Sequence, residues 1–231
     1  LVRNLKSNRS EISGRFLLAR LWKDNQQFFL ILTCIVFFKS AIADLSSISG
    51  ASMQPTLLDG DKIWVNKLAY DVKVPFTEIS LKQLNAPERG DIVIIDSKKA
   101  GKRLVKRIIG IPGDTILMQS NTIIINGNSV NYEIVSEDNE AITIRESIDR
   151  SYNIKIANNF DQGRIRTFGP AQVPEGEFFV LGDNRDNSAD SRIYSFIPRG
   201  ELIGRSSSLV FSLDNENHYI PRTNRFFSKL D

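Results

Sequence analysis

The chain has 231 residues, with 30 Lys and Arg against 27 Asp and Glu, one Cys and one His. An apolar fraction of 41% over that length can bury a core in one domain or two, which excludes a disordered protein. The single Cys34 excludes an intramolecular disulfide and a Cys-based zinc site, and the single His218 leaves little room for histidine-dependent catalysis.

The formal net charge of +3 is uneven along the chain. Residues 1–24 carry six basic side chains and two acidic ones, a net of +4, which leaves −1 for the rest. That distribution removes the case for a nucleic-acid partner and becomes a statement about topology. The basic tail precedes FFLILTCIVFF at 28–38, then Lys39 and the small residues SAIA. Eleven residues do not span a bilayer, but a helix over 26–45, with the Lys39 amine extended to the interface, reaches the ~30 Å hydrocarbon thickness at about 1.5 Å per residue. The pattern predicts a cytosolic tail at 1–25, one transmembrane helix at 26–45, and an exported domain at 46–231. A buried core helix fits less well, because the run lacks periodicity and is basic on one flank. A cleaved secretory signal ending at Ala41-Ile42-Ala43 also fits less well, because Lys39 separates the apolar run from that site.

Beyond the anchor, short β-branched runs alternate with turn residues. DIVIID at 91–96, RLVKRIIGI at 103–111, TILM at 115–118, TIII at 122–125, EFFVLG at 177–182 and SLVFSL at 208–213 read as strands. Asn126-Gly127 predicts a tight hairpin after TIII. Residues 133–168 are more polar and read as an irregular insertion or cap, and 78–84 is the one candidate for a short helical turn. The exported part is expected to be mainly β.

Without a usable histidine, a serine nucleophile needs another base. A lysine qualifies when burial disfavours its ammonium form. In ISGASMQPTLLDGD at 48–61, Ser52 follows Gly50-Ala51, small enough to let a substrate backbone approach, and Pro55 keeps Gln54 out of helix. In RLVKRIIGI, Lys106 and Arg107 both have apolar neighbours on their own faces of the strand. Alternation does not choose between them, but only lysine deprotonates in a protein. GDNRDNSADSR at 182–192 can build a network of charge-assisted hydrogen bonds. Read as a calcium loop from Asp186, it has Ser191 where glycine is needed and Ile197 where a bidentate glutamate is needed, so that reading fails.

SMQPTL at 52–57, RGDIV at 89–93, KRIIGIPGD at 106–114 and GDNRDNSADSR at 182–192 together resemble the ordered signature boxes of type I signal peptidases. These are membrane-anchored serine endopeptidases that remove signal peptides from exported proteins. The resemblance implies Ser52 as nucleophile, Lys106 as general base, and Ser188 as the hydroxyl that orients the lysine amine. It implies that Asp190 and Arg192 shape the site through an ion pair and that Met53 supports the nucleophile. Some members place a serine two residues before the nucleophile to bind the oxyanion; Gly50 stands there, so the oxyanion would rest on backbone N–H groups, that of Ser52 first. A coiled, barrel-like β-sheet fold with an inserted cap is further implied, as is a shallow groove for preproteins with small residues at −1 and −3. The expected protein is a monomer needing no metal or organic cofactor, in the cell membrane or an internal energy-transducing membrane. A self-cleaving Ser/Lys repressor would need a DNA-binding domain that residues 1–45 do not encode. A silent, membrane-tethered peptide-binding β domain would not need Ser52, Lys106 and Ser188.

Overall fold

The computed structural model describes residues 23, 25–74, 77, 79–158, 165–215 and 217–230, so the tail expected at 1–25 lies almost wholly outside the described residues. Helix α1, Gln26–Ala41, has 16 residues, about 24 Å of helix. The span expected over 26–45 is therefore interrupted, because Ala43–Ser47 already forms strand β1. Two contacts end the helix there: Ala43 buries its side chain and takes a place in the sheet, and the Lys67 amine donates to the carbonyls of Lys39 (2.8 Å) and Ser40 (3.2 Å). Among the described residues no helix is long and apolar enough to cross a membrane. Phe28, Leu30, Ile31, Leu32, Ile35 and Val36 nevertheless stand exposed on α1, so the domain covers little of its apolar surface.

The remainder is mainly β. After β1 come β2 (Asp61–Asn66) and a hairpin of β3 (Asp71–Lys73) and β4 (Ser80–Gln83). The hairpin of β5 (Ile92–Ser97) and β6 (Lys102–Gly110) follows, then β7 (Thr115–Gln119), β8 (Thr122–Ile125) and β9 (Asn128–Ser129). A three-stranded antiparallel sheet of β10 (Asn131–Glu137), β11 (Ala141–Ser147) and β12 (Ser151–Ala157) leads to β13 (Phe168–Gln172), which pairs with β7. The chain closes with β14 (Glu177–Leu181), the one-turn helix α2 (Ser191–Tyr194), β15 (Ile197–Pro198), the long β16 (Leu202–Asp214) and β17 (Ile220–Pro221).

The main sheet runs β1-β2-β16-β5-β6-β14-β15, with β17 on β16. Ile92, Val93, Ile94 and Ile95 are all buried, because both faces of β5 are covered: Val93 and Ile95 pack with Leu104, Ile108 and Val180, Ile92 and Ile94 with Met53, Leu57 and Leu209. A third cluster, around Ile116, Ile123, Tyr152, Ile154 and Phe179, joins the smaller sheets to the main one. The expected hairpin is present: Asn126 and Gly127 both take positive φ, 53° and 82°, as a two-residue turn requires.

Two readings change. Residues 133–157 are not irregular, since they hold most of β10 and all of β11 and β12, while 159–164 lie outside the described residues; the inward positions include Glu146 beside Tyr152 and Ile154, which dilutes the apolar alternation. The segment 78–84 carries β4 rather than a helical turn, with Glu78 outside the described residues.

Two strand edges stay open. β6 pairs with β5 from Lys102 to Arg107, but with β14 only from Arg107 to Gly110, so 102–106 is unpaired on one side. β1 pairs with β2 alone.

Candidate active site

Ser52 lies on the loop between β1 and β2. Gly50 turns that loop at φ +91°, and a Cβ there would meet nothing within 4 Å, so its cost to another residue is backbone strain alone. The Gly50 N–H donates to Asp59 Oδ1 (2.9 Å), the Gln54 N–H to the Ala51 carbonyl and the Leu57 N–H to the Met53 carbonyl, giving a compact double turn. Met53, 2% exposed, anchors it among Ile48, Leu57, Ile63 and Val65. The Ser52 N–H makes no hydrogen bond among the described residues, while Gly50 has spent its own on Asp59.

Lys106 comes from the middle of β6, opposite Val93. It is 3% exposed, with Nζ 2.8 Å from Ser52 Oγ and donating to the Val105 carbonyl at 2.9 Å. Burial pulls its amine from the ordinary 10.5 down to about 8; the carboxylates of Asp190 and Asp183 oppose that fall, and Lys102 and Arg192 reinforce it. Arg107, the other candidate on this strand, is fully buried and committed elsewhere. Its Nε and Nη2 donate to the two oxygens of Asp183 (2.9 and 2.8 Å), Nη1 donates to the Gly90 carbonyl, and the guanidinium lies 3.9 Å from the Tyr152 ring centroid.

The segment 182–192 packs directly behind Ser52. Asp190 caps α2 and forms a buried ion pair with Arg192, Nε to Oδ1 and Nη2 to Oδ2 both at 2.8 Å, while its Oδ2 also accepts from the Gly182 N–H. Arg192 reaches on to the carbonyls of Ile165 and Arg185. The Ser188 hydroxyl is buried and has no hydrogen-bonding partner among the described residues, so it does not bond Lys106 in this arrangement. It sits against Gly182, where a Cβ would collide with both the Ser188 side chain and the Ser52 carbonyl. Cys34 is exposed on α1 and His218 is exposed near the C-terminal end.

Ser52 opens into a groove of about 410 Å³, lined by 46–53, 102–106, Asn187 and Ala189. A family model described as signal peptidase, peptidase S26, matches residues 21–211. The chain belongs to this family. Signal peptidase I P of Bacillus subtilis subsp. natto is 31% identical over 191 residues, 82% of this chain and 89% of that one. Signal peptidase I of Bacillus licheniformis is 34% identical over 169 residues, 73% and 76% of the two chains. Signal peptidase I of Pseudomonas aeruginosa is 30% identical over 203 residues, 81% and 71%.

In this signal peptidase chain the site is also braced by residues with no catalytic role assigned from sequence. Asn184 holds the Ser52 loop by its carbonyls: its N–H donates to Ser52 and its side-chain amide to Ala51, both at 3.0 Å. Asp183 accepts from Thr56 Oγ1 at 2.5 Å as well as from Arg107. Arg185, fully buried, donates to Glu146 Oε1, which also accepts from Tyr152 (both 2.6 Å). Apart from Tyr152 to Glu146, which spans the β11–β12 hairpin, these pairings bridge segments far apart in the chain, and no local spacing announces them.

Proposed function

We propose that the chain is a membrane-anchored signal peptidase using Ser52 as nucleophile and Lys106 as general base. The observation that carries this reading is the 2.8 Å approach of a buried lysine amine to a serine hydroxyl at the head of an open groove. Neutral Lys106 takes the Ser52 proton as Oγ adds to the carbonyl carbon at −1. The oxyanion faces the free N–H of Ser52. The tetrahedral adduct collapses, its C–N bond breaks, and the lysinium proton passes to the leaving amine. Water then gives a proton to Lys106 and attacks the ester, and Ser52 regains its proton as the signal peptide leaves.

Asp190, Arg192 and Met53 position the loops around this dyad, and Ser188, whose buried hydroxyl has no other partner among the described residues, supplies the hydroxyl that orients the amine. The open edges of β1 and β6 flank the groove, so a preprotein segment binds between them as an extended strand. Met53 and the small side chains at 49–51 leave room there for small residues at −1 and −3. The uncovered apolar surface of α1, basic before it and continuous with β1, supports a bilayer anchor that confines the enzyme to the plane where signal peptides present their cleavage sites.

The test is cleavage of a preprotein by the purified full chain in detergent. Ser52→Ala, Lys106→Ala and Lys106→Arg each abolish cleavage while the circular dichroism spectrum stays native. Full activity in any of the three refutes the dyad.

A further inference from the structure

The groove carries a charge that the reaction does not use. Lys102 and Arg103 open β6 and line the groove about four residues from Lys106, both exposed, and no carboxylate is among its lining residues. Neither side chain has an ion-pair partner among the described residues. Asp96 stands opposite Arg103 in the β5–β6 register without pairing, and lines a different cavity with Lys67, Lys73 and Glu201. Two cations without an ion-pair partner among the described residues therefore flank the path proposed for a substrate strand.

The position of α1 sets the direction of that strand. β1 begins two residues after α1 and leads toward the nucleophile loop, and Lys67, which holds the end of α1, feels the charge of Arg103. The Lys102–Arg103 end of the groove thus lies beside the end of the anchor. A signal peptide whose apolar part is in the bilayer enters at that end and reaches Ser52 with its −1 residue. From Lys102 to Lys106 is about 13 Å of strand at about 3.3 Å per residue. Counting one substrate residue per strand residue back from −1, Arg103 meets −4 and Lys102 meets −5.

We infer that Lys102 and Arg103 form a charge-selecting subsite for positions −5 and −4 of the signal peptide, favouring acidic side chains and rejecting Lys and Arg. The inference rests on the reading of the chain as a signal peptidase. An acidic side chain at −5 meets Lys102 and one at −4 meets Arg103, each on its own face of the strand at a partly open surface, and basic ones are repelled, a contrast worth roughly fivefold in kcat/KM at low salt for the two positions together. Because both cations are exposed, added salt screens the preference.

The experiment uses the full chain in neutral detergent and a preprotein differing only at −5 and −4, as Asp-Asp, Ser-Ser or Lys-Lys. The expected order is Asp-Asp over Ser-Ser over Lys-Lys, compressed toward equality at about 0.5 M salt. Lys102→Glu/Arg103→Glu reverses the order, and Lys102→Gln/Arg103→Gln flattens it. Comparing ratios between substrates within each variant cancels any change in the reactivity of Lys106. Equal rates for the three preproteins with the unmodified chain at low salt, or a preference untouched by both double variants, overturns the subsite. Failure to cleave any of the three would instead refute the function itself, which Ser52→Ala calibrates.

Discussion

Lys106→Met separates the cost of the buried amine from its use. The substitution keeps the length of the side chain and removes the charge, so preprotein cleavage is lost. The fall of the amine from 10.5 to about 8 corresponds to about 3 kcal/mol against the charged, folded state. The unfolded chain binds the proton more tightly, so between pH 8 and 10.5 stability rises with pH. The lysine's contribution is fully present above 10.5 and is lost as pH falls through 8. At pH 7 the variant is spared this cost but loses the hydrogen bond to Ser52, about 1 kcal/mol, for a net gain of about 2 kcal/mol. For a chain of this size that raises Tm by roughly 4–8 °C. Above pH 10.5 the amine is neutral in both states, the gain disappears, and the missing hydrogen bond leaves the variant about 1 kcal/mol less stable. Thermal unfolding of both full chains in the same detergent, followed by circular dichroism from pH 7 to 11, gives two curves that cross. A variant no more stable than the parent at pH 7, or a gap independent of pH, refutes the depressed amine. In the parent, the same ionisation makes kcat/KM rise with pH to a midpoint near 8.

Gly182→Ala drives a methyl group into the Ser188 side chain and the Ser52 carbonyl, and is expected to lower kcat/KM at least 100-fold and stability by about 1–3 kcal/mol, read from kinetics and Tm. Asn184→Ala frees the Ala51 carbonyl while leaving the groove walls intact; kcat falls about tenfold with KM nearly unchanged in steady-state assays. Glu146→Gln leaves the guanidinium of Arg185 buried without its counter-charge, and costs about 3–5 kcal/mol by denaturant unfolding. It also tests whether the β10–β12 sheet supports the core of the enzyme, because its loss of stability comes from a residue of β11 that lies 94 positions along the chain from Ser52.

The strands and the pairing of Ser52 with Lys106 are legible for the same reason: both depend on local pattern and intrinsic chemistry. The β-branched runs of β5, β6 and β14 declare themselves, and a lysine set among Leu104, Val105, Ile108 and Ile109 can serve as a base only if buried. What stayed hidden depends on pairing at long range. Asn184 holds Ser52 across 132 positions of sequence, and nothing in the order of residues around either one states it. The β10–β12 sheet was obscured because part of its inward surface is an ionic cluster of Glu146, Arg185 and Tyr152 rather than a continuous apolar face. The end of α1 was misplaced because 42–45 is apolar enough to extend a helix in isolation, whereas the open place beside β2 and the Lys67 amine draw the chain into the sheet.

Lys106 and Arg107 show how one strand accommodates two adjacent cations by opposite means. An isolated ion is strongly disfavoured in the interior, so Arg107 keeps its charge by pairing it and Lys106 gives its charge up above about pH 8. Arg107 cannot release its proton, so the fold supplies Asp183, a carbonyl and the face of Tyr152, and the guanidinium becomes a fixed brace between β6 and the loop after β14. Lys106 is given no carboxylate within ion-pairing distance; Asp183 is occupied by Arg107 and Thr56, and Asp190 by Arg192 and the Gly182 N–H. Those same pairings hold the two acids close enough to moderate the fall of the amine but not to cancel it. The ion pairs around the dyad therefore do more than fix loops: by consuming the nearby carboxylates, they leave proton loss as the way for Lys106 to be neutral beside Ser52.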